Sequence, residues 1–358
     1  LDESGPRPYR PPMATTKRTR KKNSFYAGLD IGGSTIKAML VDGAGEQVGK
    51  IVEVRSLASQ GHRKTFGQLK KALKSLCKNA KITEADVAAI GMDVPAPCSN
   101  GVIWDKANMA SDWLGVNVRD TFAKVINKPV YMTNDCNAAA FGEYLLRPWT
   151  TSGLLYAAPG TGLGGGLVLA GGMVFEGANG LAMELGDITI PFREGGKMPV
   201  DASGREGALE AWVSLVALRR QLALQLKKKK YAKHPLNDPK IPIEERAFKV
   251  RNYAEDGDAL ALEIFGIQAR ALGYALGDAA SLFDPGLIVI GGGMAETKPH
   301  FRDWYIESIR SGFRERAEKC YQFSPLEPER ATTTIEWAIG GDAAAAYGAA
   351  MKGRELVV

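Results

Sequence analysis

The sequence has little with which to build a metal site or a disulfide framework. Its four cysteines, Cys77, Cys98, Cys136 and Cys320, lie far apart with no CxxC or CxC spacing, which argues against cross-linked scaffolds and cysteine zinc sites alike. Isolated thiols fit a reducing compartment, so a cytoplasmic location is expected. The three histidines, His62, His234 and His300, form no ligand pair. Chemistry resting on imidazole or on a histidine-bound metal is therefore not expected, and each histidine reads as a surface residue. No apolar run approaches the roughly 20 residues needed to span a bilayer, so no membrane segment is expected.

An excess of positive charge is also missing once the N-terminus is set aside. Residues 1–24 carry seven basic side chains against two acidic ones and so account for +5 of the formal net charge of +6. This stretch is rich in Pro, Arg and Lys and has no apolar core, so it reads as a disordered basic leader and not as a secretory signal; Met13 is the expected natural start. The remainder is near neutral, which argues against a general nucleic-acid footprint. A lysine run at Lys227 to Lys230 is local and reads as a solvated helix end.

What is present is the composition of an ordinary globular protein, 45% hydrophobic and 24% charged over 358 residues. That length predicts two domains and a cleft between them. From Phe25 the pattern reads strand, turn, strand ("TIKAMLV") and a third strand over Gln47 to Ser56, an antiparallel meander. In "TFGQLKKALKSLCKNA" the apolar Phe66, Leu69, Leu73, Leu76 and Cys77 recur at spacings of three and four, which predicts a helix with lysines on its outer face. A buried strand, "VAAIGMDVPAP", follows. Next come a helix over Val118 to Ile126, a short strand "PVYMT", and "NDCNAAAFGEYLL", a loop turning into a helix that Asn134 or Asp135 can cap.

Near Gly153 the opening logic repeats, with strand, glycine turn and strand in "GLLYAAPGTGLGGGLVLAGGMVF". Beyond it the reading is a long helix from Gly207 to about Leu226, a helical block from Ile243 to Phe283, and a strand ending in "DPGLIVIGGG". A helix over Phe301 to Lys319, a strand "TTTIEWA" and the alanine-dense "IGGDAAAAYGAAM" close the chain. Alternating strands and helices predict α/β architecture.

The glycine-rich tips carry the chemistry. Glycine tolerates φ > 0 and has no Cβ, so "GGST" (Gly32, Gly33, Ser34) and "GTGLGGG" (Gly160, Thr161, Gly162) can bring backbone N–H groups close to an anion, and the anion implied is phosphate. Ser34 and Thr161 add hydroxyl donors. Asp30, at the end of its strand, can hold a hydrated magnesium ion that neutralises phosphate charge. "GTGLGGG" contains G-x-G-x-x-G, but a strand follows it where a dinucleotide fingerprint requires a long helix, and no Walker GxxxxGK[ST] is present.

The ordered set "LDIGGSTIK", "NDCNAAAFGEY", "GTGLGGG", "DPGLIVIGGGMAE" and "IGGDAAAAYGAA" resembles the sugar-kinase branch of the actin/hexokinase-like ATPases known as the ROK family. The resemblance spans about Phe25 to Met351, with "VPAP", "NGVIWDKANM", "GALEAW" and "AEDGDALALEIF" as further landmarks. It implies two ribonuclease-H-like lobes of mixed sheets flanked by helices, with a cleft between them. The smaller lobe would be residues 25–147 plus the returning 338–358, and the larger 148–337. It also implies phosphoryl transfer from ATP with Mg2+ to a hexose hydroxyl, most simply as a glucokinase, in a homodimer or homotetramer. Asp135 matches the family's general base, a carboxylate that orients the hydroxyl and accepts its proton. Asp30, Gly32, Gly33, Ser34, Lys37, Gly160, Thr161, Gly162 and Gly291 to Gly293 match the nucleotide side. Asn108, Asn134, Glu184, Asp187 and Glu210 match the sugar side.

The sequence departs from the family at one place. Many members carry ELGH followed by CxCGxxGC, a His and three Cys that hold structural zinc, whereas this chain reads "ELGDITIPFREGGKMPVDASGREGALE". Asp187 stands at the His position and Asp201, Ser203 and Ala208 at the Cys positions, so no structural zinc is expected. Asp187 leaves the choice of hexose open. The motif "ANMASDWLGVNV" and the missing cluster resemble the polyphosphate-using glucokinases. Fructose and N-acetylmannosamine kinases are alternative activities. A sugar-responsive repressor is a further alternative, against which stand the intact Asp135 and the stretch of about 24 residues ahead of the first strand, short for a DNA-binding domain. A sugar-binding pseudokinase is the last.

Overall fold

The computed structural model describes residues 24–107, 109–148, 152–193 and 198–358. The expected leader up to residue 23 and the sugar-side candidate Asn108 lie outside the described residues. Strands β1 (Phe25–Ile31) and β2 (Thr35–Val41) form the expected hairpin, and β3 (Val52–Arg55) joins it. The third strand is shorter than its sequence pattern because Gly49 takes a left-handed φ of 74° and breaks the extended run. Helix α1 (His62–Ala80) buries Phe66, Leu69, Leu73, Leu76 and Cys77 against this sheet, as its periodicity predicts. Strands β4 (Val87–Val94) and a small hairpin of β5 (Cys98–Ser99) and β6 (Val102–Ile103) follow. Then come α2 (Val118–Ile126), capped by Asn117, β7 (Val130–Asn134) and α3 (Asp135–Leu145).

The second half begins with β8 (Leu154–Pro159), β9 (Leu163–Leu169) and β10 (Met173–Val174), and continues with α4 (Leu215–Gln225), α5 (Ile243–Glu255) and α6 (Ala259–Phe283). It closes with β11 (Leu287–Ile290), α7 (Pro299–Arg316), α8 (Lys319–Gln322), β12 (Thr334–Trp337) and α9 (Ala344–Glu355). The first sheet has the order β3-β2-β1-β4-β7 and the second β10-β9-β8-β11-β12. In each, an antiparallel meander is extended by two parallel strands. The suspected internal repeat is thus a repeat of topology.

Helices α3 and α9 lie between the two sheets, in a core shared by Tyr26, Ala89, Ala140, Tyr156, Val289, Ala346 and Ala350. Small residues make this layer possible. A Cβ on Gly28 would stand 1.7 Å from the Ala346 carbonyl oxygen, one on Gly91 1.7 Å from that of Ala349, and one on Gly348 1.9 Å from that of Ala138. Backbone therefore meets backbone, and the alanine-dense C-terminus is the helix that fits there. Two further cores flank this layer, one around α1 and the first sheet, the other around α6 and α7.

At the end of α3 a buried ion pair ties this layer to the chain that returns from the second sheet. Arg147 donates to the Glu143 carboxylate and, through Nη2, to the Trp337 carbonyl at 2.8 Å. The same carboxylate accepts from the backbone N–H of Ile339 at 3.0 Å and of Gly340 at 2.7 Å.

Several expectations need correction. The helix predicted from Gly207 starts at Leu215, because Ser214 caps it by accepting from the Ala217 N–H at 3.0 Å, while residues 209–211 form a separate short turn. The block from Ile243 to Phe283 is two helices: Gly257, at φ 82°, ends the first and Asp258 caps the second. The histidines are not all at the surface. His62 is buried and 3.0 Å from Asp112, and His234 is largely covered, 3.0 Å from Asp258. Contrary to the first reading of apolar runs, α6 is long and apolar enough to cross a bilayer, but most of it is buried in the core. Within the lysine run, Lys228 and Lys230 both clasp Glu263 at 2.7 Å.

Candidate active site

The first hairpin carries Asp30 near the end of β1 and Lys37 opposite it on β2. Its tip is fixed from outside: Ser56 donates through Oγ to the Gly33 carbonyl and through its N–H to the Ser34 carbonyl, each at 2.9 Å. A Cβ on Gly33 would meet nothing within 4 Å, so the tip faces open space. Neither Gly32 nor Gly33, nor Gly160 or Gly162, has a left-handed φ. The sequence argument from positive φ is thereby corrected: these positions use the missing Cβ, and of the nucleotide-side glycines only Gly292, at φ 69°, needs the left-handed conformation.

Asp30, Lys37, Asp135 and Gly292 line one cavity of about 270 Å³, together with Tyr156, Glu296 and Asp342. Lys37 donates to the Asp342 carboxylate at the entrance to α9. Asp135 is the first residue of α3, which Asn134 caps: the Asn134 Oδ1 accepts from Cys136 N–H at 2.8 Å and Asn137 N–H at 3.3 Å. Asn134 therefore has an acceptor committed to the helix, and among the described residues its amide nitrogen reaches the Ala96 carbonyl alone, at 3.5 Å. The Asp135 Oδ1 also accepts from Cys136 N–H, at 2.8 Å. Burial and then the charge of Asp30 push the Asp135 carboxyl up to about 6, so it is a base within reach of neutral pH.

A third acid, which the sequence reading did not single out, completes this group. Asp93 on β4 lies opposite Asp30 in the parallel register and is wholly buried. Burial, then the Asp30 charge, raises it well above the usual carboxylate range. A hydrogen bond between the two carboxyls offsets part of the burial that raises Asp30. The signal was an acid inside an apolar run, "VAAIGMDV". Glu296 and Asp342 were also missed; Asp342 directly follows the pair Gly340-Gly341 and Glu296 lies three residues after Gly293, and only the fold brings them to the cavity.

A second cavity, of about 260 Å³, is lined by Gly160, Thr161, Gly293, Phe248 and Arg251. It adjoins the first along a common wall, since a Cβ on Gly292 would stand 2.7 Å from the Pro159 carbonyl. The Leu215 N–H, at the start of α4, donates to the carbonyls of Gly160 and Thr161 at 3.1 and 3.3 Å. Gly291 faces neither cavity; it lets β11 pass Tyr156, whose Oη would be 2.0 Å from a Cβ there.

Of the sugar-side candidates, Glu210 is tied to the second hairpin, its Oε2 accepting from the Leu163 N–H at 3.0 Å beside Gly162. Glu184 is raised to about 6 by partial burial, then by Asp187, Asp135 and Glu210, with Arg205 opposing. Asp187 is half exposed and paired with Arg205, whose Nε also binds Asp201 at 2.9 Å. Two of the four residues at the zinc-ligand positions of the resemblance are thus joined through a guanidinium. Among the described residues no group of three or more His, Cys, Asp or Glu could hold a metal ion.

The geometry is two glycine-tipped hairpins beside an acidic cavity, and comparison with known proteins decides the family. The ROK family model matches residues 26–352. The chain belongs to the ROK family. The glucokinase of Halalkalibacterium halodurans is 30% identical over 303 residues, which are 80% of this chain and 88% of that protein. The xylose repressor of Caldicellulosiruptor bescii is 25% identical over 296 residues, 81% of this chain and 70% of the repressor. Among solved structures, a ROK glucokinase from Streptomyces griseus in complex with glucose and AMPPNP matches with a TM-score of 0.71 and 25% identity, over 93% of this chain and 100% of that one. The architecture is therefore that of ROK sugar kinases, mixed sheets flanked by helices in the actin/hexokinase-like manner, as the resemblance implied. The ROK relatives include both kinases and repressors.

Proposed function

We propose that this ROK protein is a hexose kinase that transfers the γ-phosphoryl group of ATP to a sugar hydroxyl, with glucose as the first expected acceptor and glucose 6-phosphate as product. The observation that carries the reading is Asp135: a partly buried carboxylate, pushed up to about 6, at the head of α3 and facing the cavity that Asp30 and Lys37 also line. A repressor needs to bind sugar but has no use for a base at that point. The glucokinase relative supports the choice of sugar.

In this reading Asp135 accepts the proton of the attacking hydroxyl as its oxygen bonds to the γ-phosphorus and the bond to the β-phosphate oxygen breaks, releasing ADP. The residues fit the groups required. Open space over Gly33 and Gly160 leaves room for phosphates against the backbone, and Asp30 lines the cavity with a carboxylate, the oxygen donor that Mg2+ prefers. Mg2+ would be held through water by Asp30, and would neutralise developing phosphate charge. The second cavity, with Phe248 and Arg251, suits adenosine. Glu184 and Glu210 would accept from sugar hydroxyls. The lobes, residues 25–147 with 338–358 and residues 148–337, would close on sugar and exclude water.

ADP release, measured over a panel of hexoses with ATP or polyphosphate as donor, tests this. Turnover of glucose with ATP is the expected result. Tight glucose binding with no turnover of any hexose by either donor would leave the regulator reading in its place.

A further inference from the structure

The two sugar-side acids sit at opposite ends of one chain segment, Glu184 at its start and Glu210 at its finish. Its described residues fold back on one another. The Leu209 N–H donates to the Ile188 carbonyl at 2.8 Å, the Ile190 N–H to that of Gly207 at 3.1 Å, and the Gly207 N–H to that of Pro199 at 2.8 Å. Ile190, Phe192 and Leu209 bury its inner side. At the Glu210 end the carboxylate is anchored by the Leu163 N–H. At the Glu184 end, among the described residues, no hydrogen bond reaches the carboxylate. The turn beside it, Leu185–Asp187, is closed by the Asp187 N–H donating to the Glu184 carbonyl at 3.0 Å and packed through the buried Leu185, and its Asp187 side chain is tied to Arg205.

Arg205 is itself held. The Asp201 side chain is only 2% exposed; its Oδ2 accepts from Arg205 Nε at 2.9 Å, and its Oδ1 accepts from the backbone N–H groups of Ser203 and Arg205 at 2.9 and 2.8 Å. That carboxylate aims the guanidinium, and the outer nitrogen, Nη2, then grips Asp187. A planar fork with one arm on each acid is a geometry arginine offers and lysine does not. The guanidinium also stands in an acidic neighbourhood: Asp187, Asp135 and Glu210 each raise the Glu184 carboxyl and Arg205 opposes them.

We propose that Arg205 is a positioning residue for hexose recognition: clasped between Asp201 and Asp187, it sets the distance between Glu184 and Glu210 so that both carboxylates reach one sugar. The proposal rests on the kinase reading above for its choice of ligand. It assigns Asp187 to the clasp, with its carboxylate turned to Arg205.

The test compares Arg205→Met and Arg205→Lys with the parent protein. In Arg205→Met the KM for glucose rises about tenfold, equivalent to roughly 1.4 kcal/mol of lost binding, while the KM for ATP stays within about twofold. Lysine restores only part of the loss, and millimolar guanidinium ion added to Arg205→Met lowers the glucose KM again. An unchanged glucose KM in a folded Arg205→Met overturns the proposal, as does a parallel rise in both KM values without rescue by guanidinium, which marks a general loss of structure. If Arg205→Met does not fold, Arg205→Lys and Asp201→Asn carry the same comparison. If the parent protein phosphorylates no hexose, the kinase reading fails separately, and glucose affinity by calorimetry decides the role of Arg205 with the same expected tenfold loss.

Discussion

Asp30 and Asp93 stand opposite each other on adjacent parallel strands, one facing the cavity and the other sealed in the core. Two carboxyls so close share the problem of charge, and burial and the Asp30 charge hold the inner one well above the usual carboxylate range. An amide can donate the hydrogen bond that joins them. Asp93→Asn is therefore expected to fold and to keep kcat within about threefold. Asp93→Ala removes the donor and opens a void, with a loss of about 1–3 kcal/mol of stability and a weaker Mg2+ dependence. Steady-state kinetics over a Mg2+ titration, together with thermal melts, checks both.

In the proposed kinase reading Asp135 ties activity to pH. As a base it works only when ionised, so kcat/KM should rise about tenfold per pH unit below 6 and level off above it. Stability should move the other way. A folded-state pKa above the ordinary carboxylate value means that protonation favours the fold, a contribution fully present below about pH 4 and lost as pH rises through 6. Asp135→Asn should consequently abolish turnover, leave glucose binding in place, and stabilise the protein by about 1–2 kcal/mol at pH 8 but not at pH 4. Melting curves at the two pH values read this out.

The Glu143–Arg147 pair makes a sharper prediction about stability. With both side chains buried, Arg147→Met strands a carboxylate that still binds Ile339 and Gly340 N–H, at a cost of about 3–5 kcal/mol. Replacing both, as Glu143→Gln with Arg147→Met, should cost less than the single change. Denaturant midpoints of the three variants decide it, and a double variant less stable than Arg147→Met would refute it.

At the layer between the sheets, Gly28→Ala and Gly91→Ala each drive a methyl into a backbone carbonyl. Neither neighbour is the flexible end of a side chain, so strain exceeding about 3 kcal/mol is expected. Gly33→Ala, which meets open space, should leave stability within about 0.5 kcal/mol. Tm measurements on the three proteins separate the cases.

How far the sequence could be read depended on whether the signal was local. Helix α1 and both hairpins were legible because apolar spacing and turn residues lie within one window, and Asp135 because its motif is contiguous. Cap residues misled the longer helices: Ser214 and Asp258 look like ordinary surface residues until the N–H groups they bind are known. Asp342, Glu296 and Arg205 were invisible for a different reason. Each is defined by a partner brought by the fold from another element or the far arm of a loop, Lys37 for Asp342 and Asp187 for Arg205, and no spacing rule connects such positions.

The layer of α3 and α9 has a bearing on how such chains diverge. Where main chain rests directly on main chain, at Gly28, Gly91 and Gly348, there is no side chain to trade and no compensating neighbour to shrink. Those positions admit no side chain without moving backbone, whereas the described arms of the 184–210 segment are joined by a side-chain ion pair as well as by main-chain hydrogen bonds, and a side chain can be exchanged.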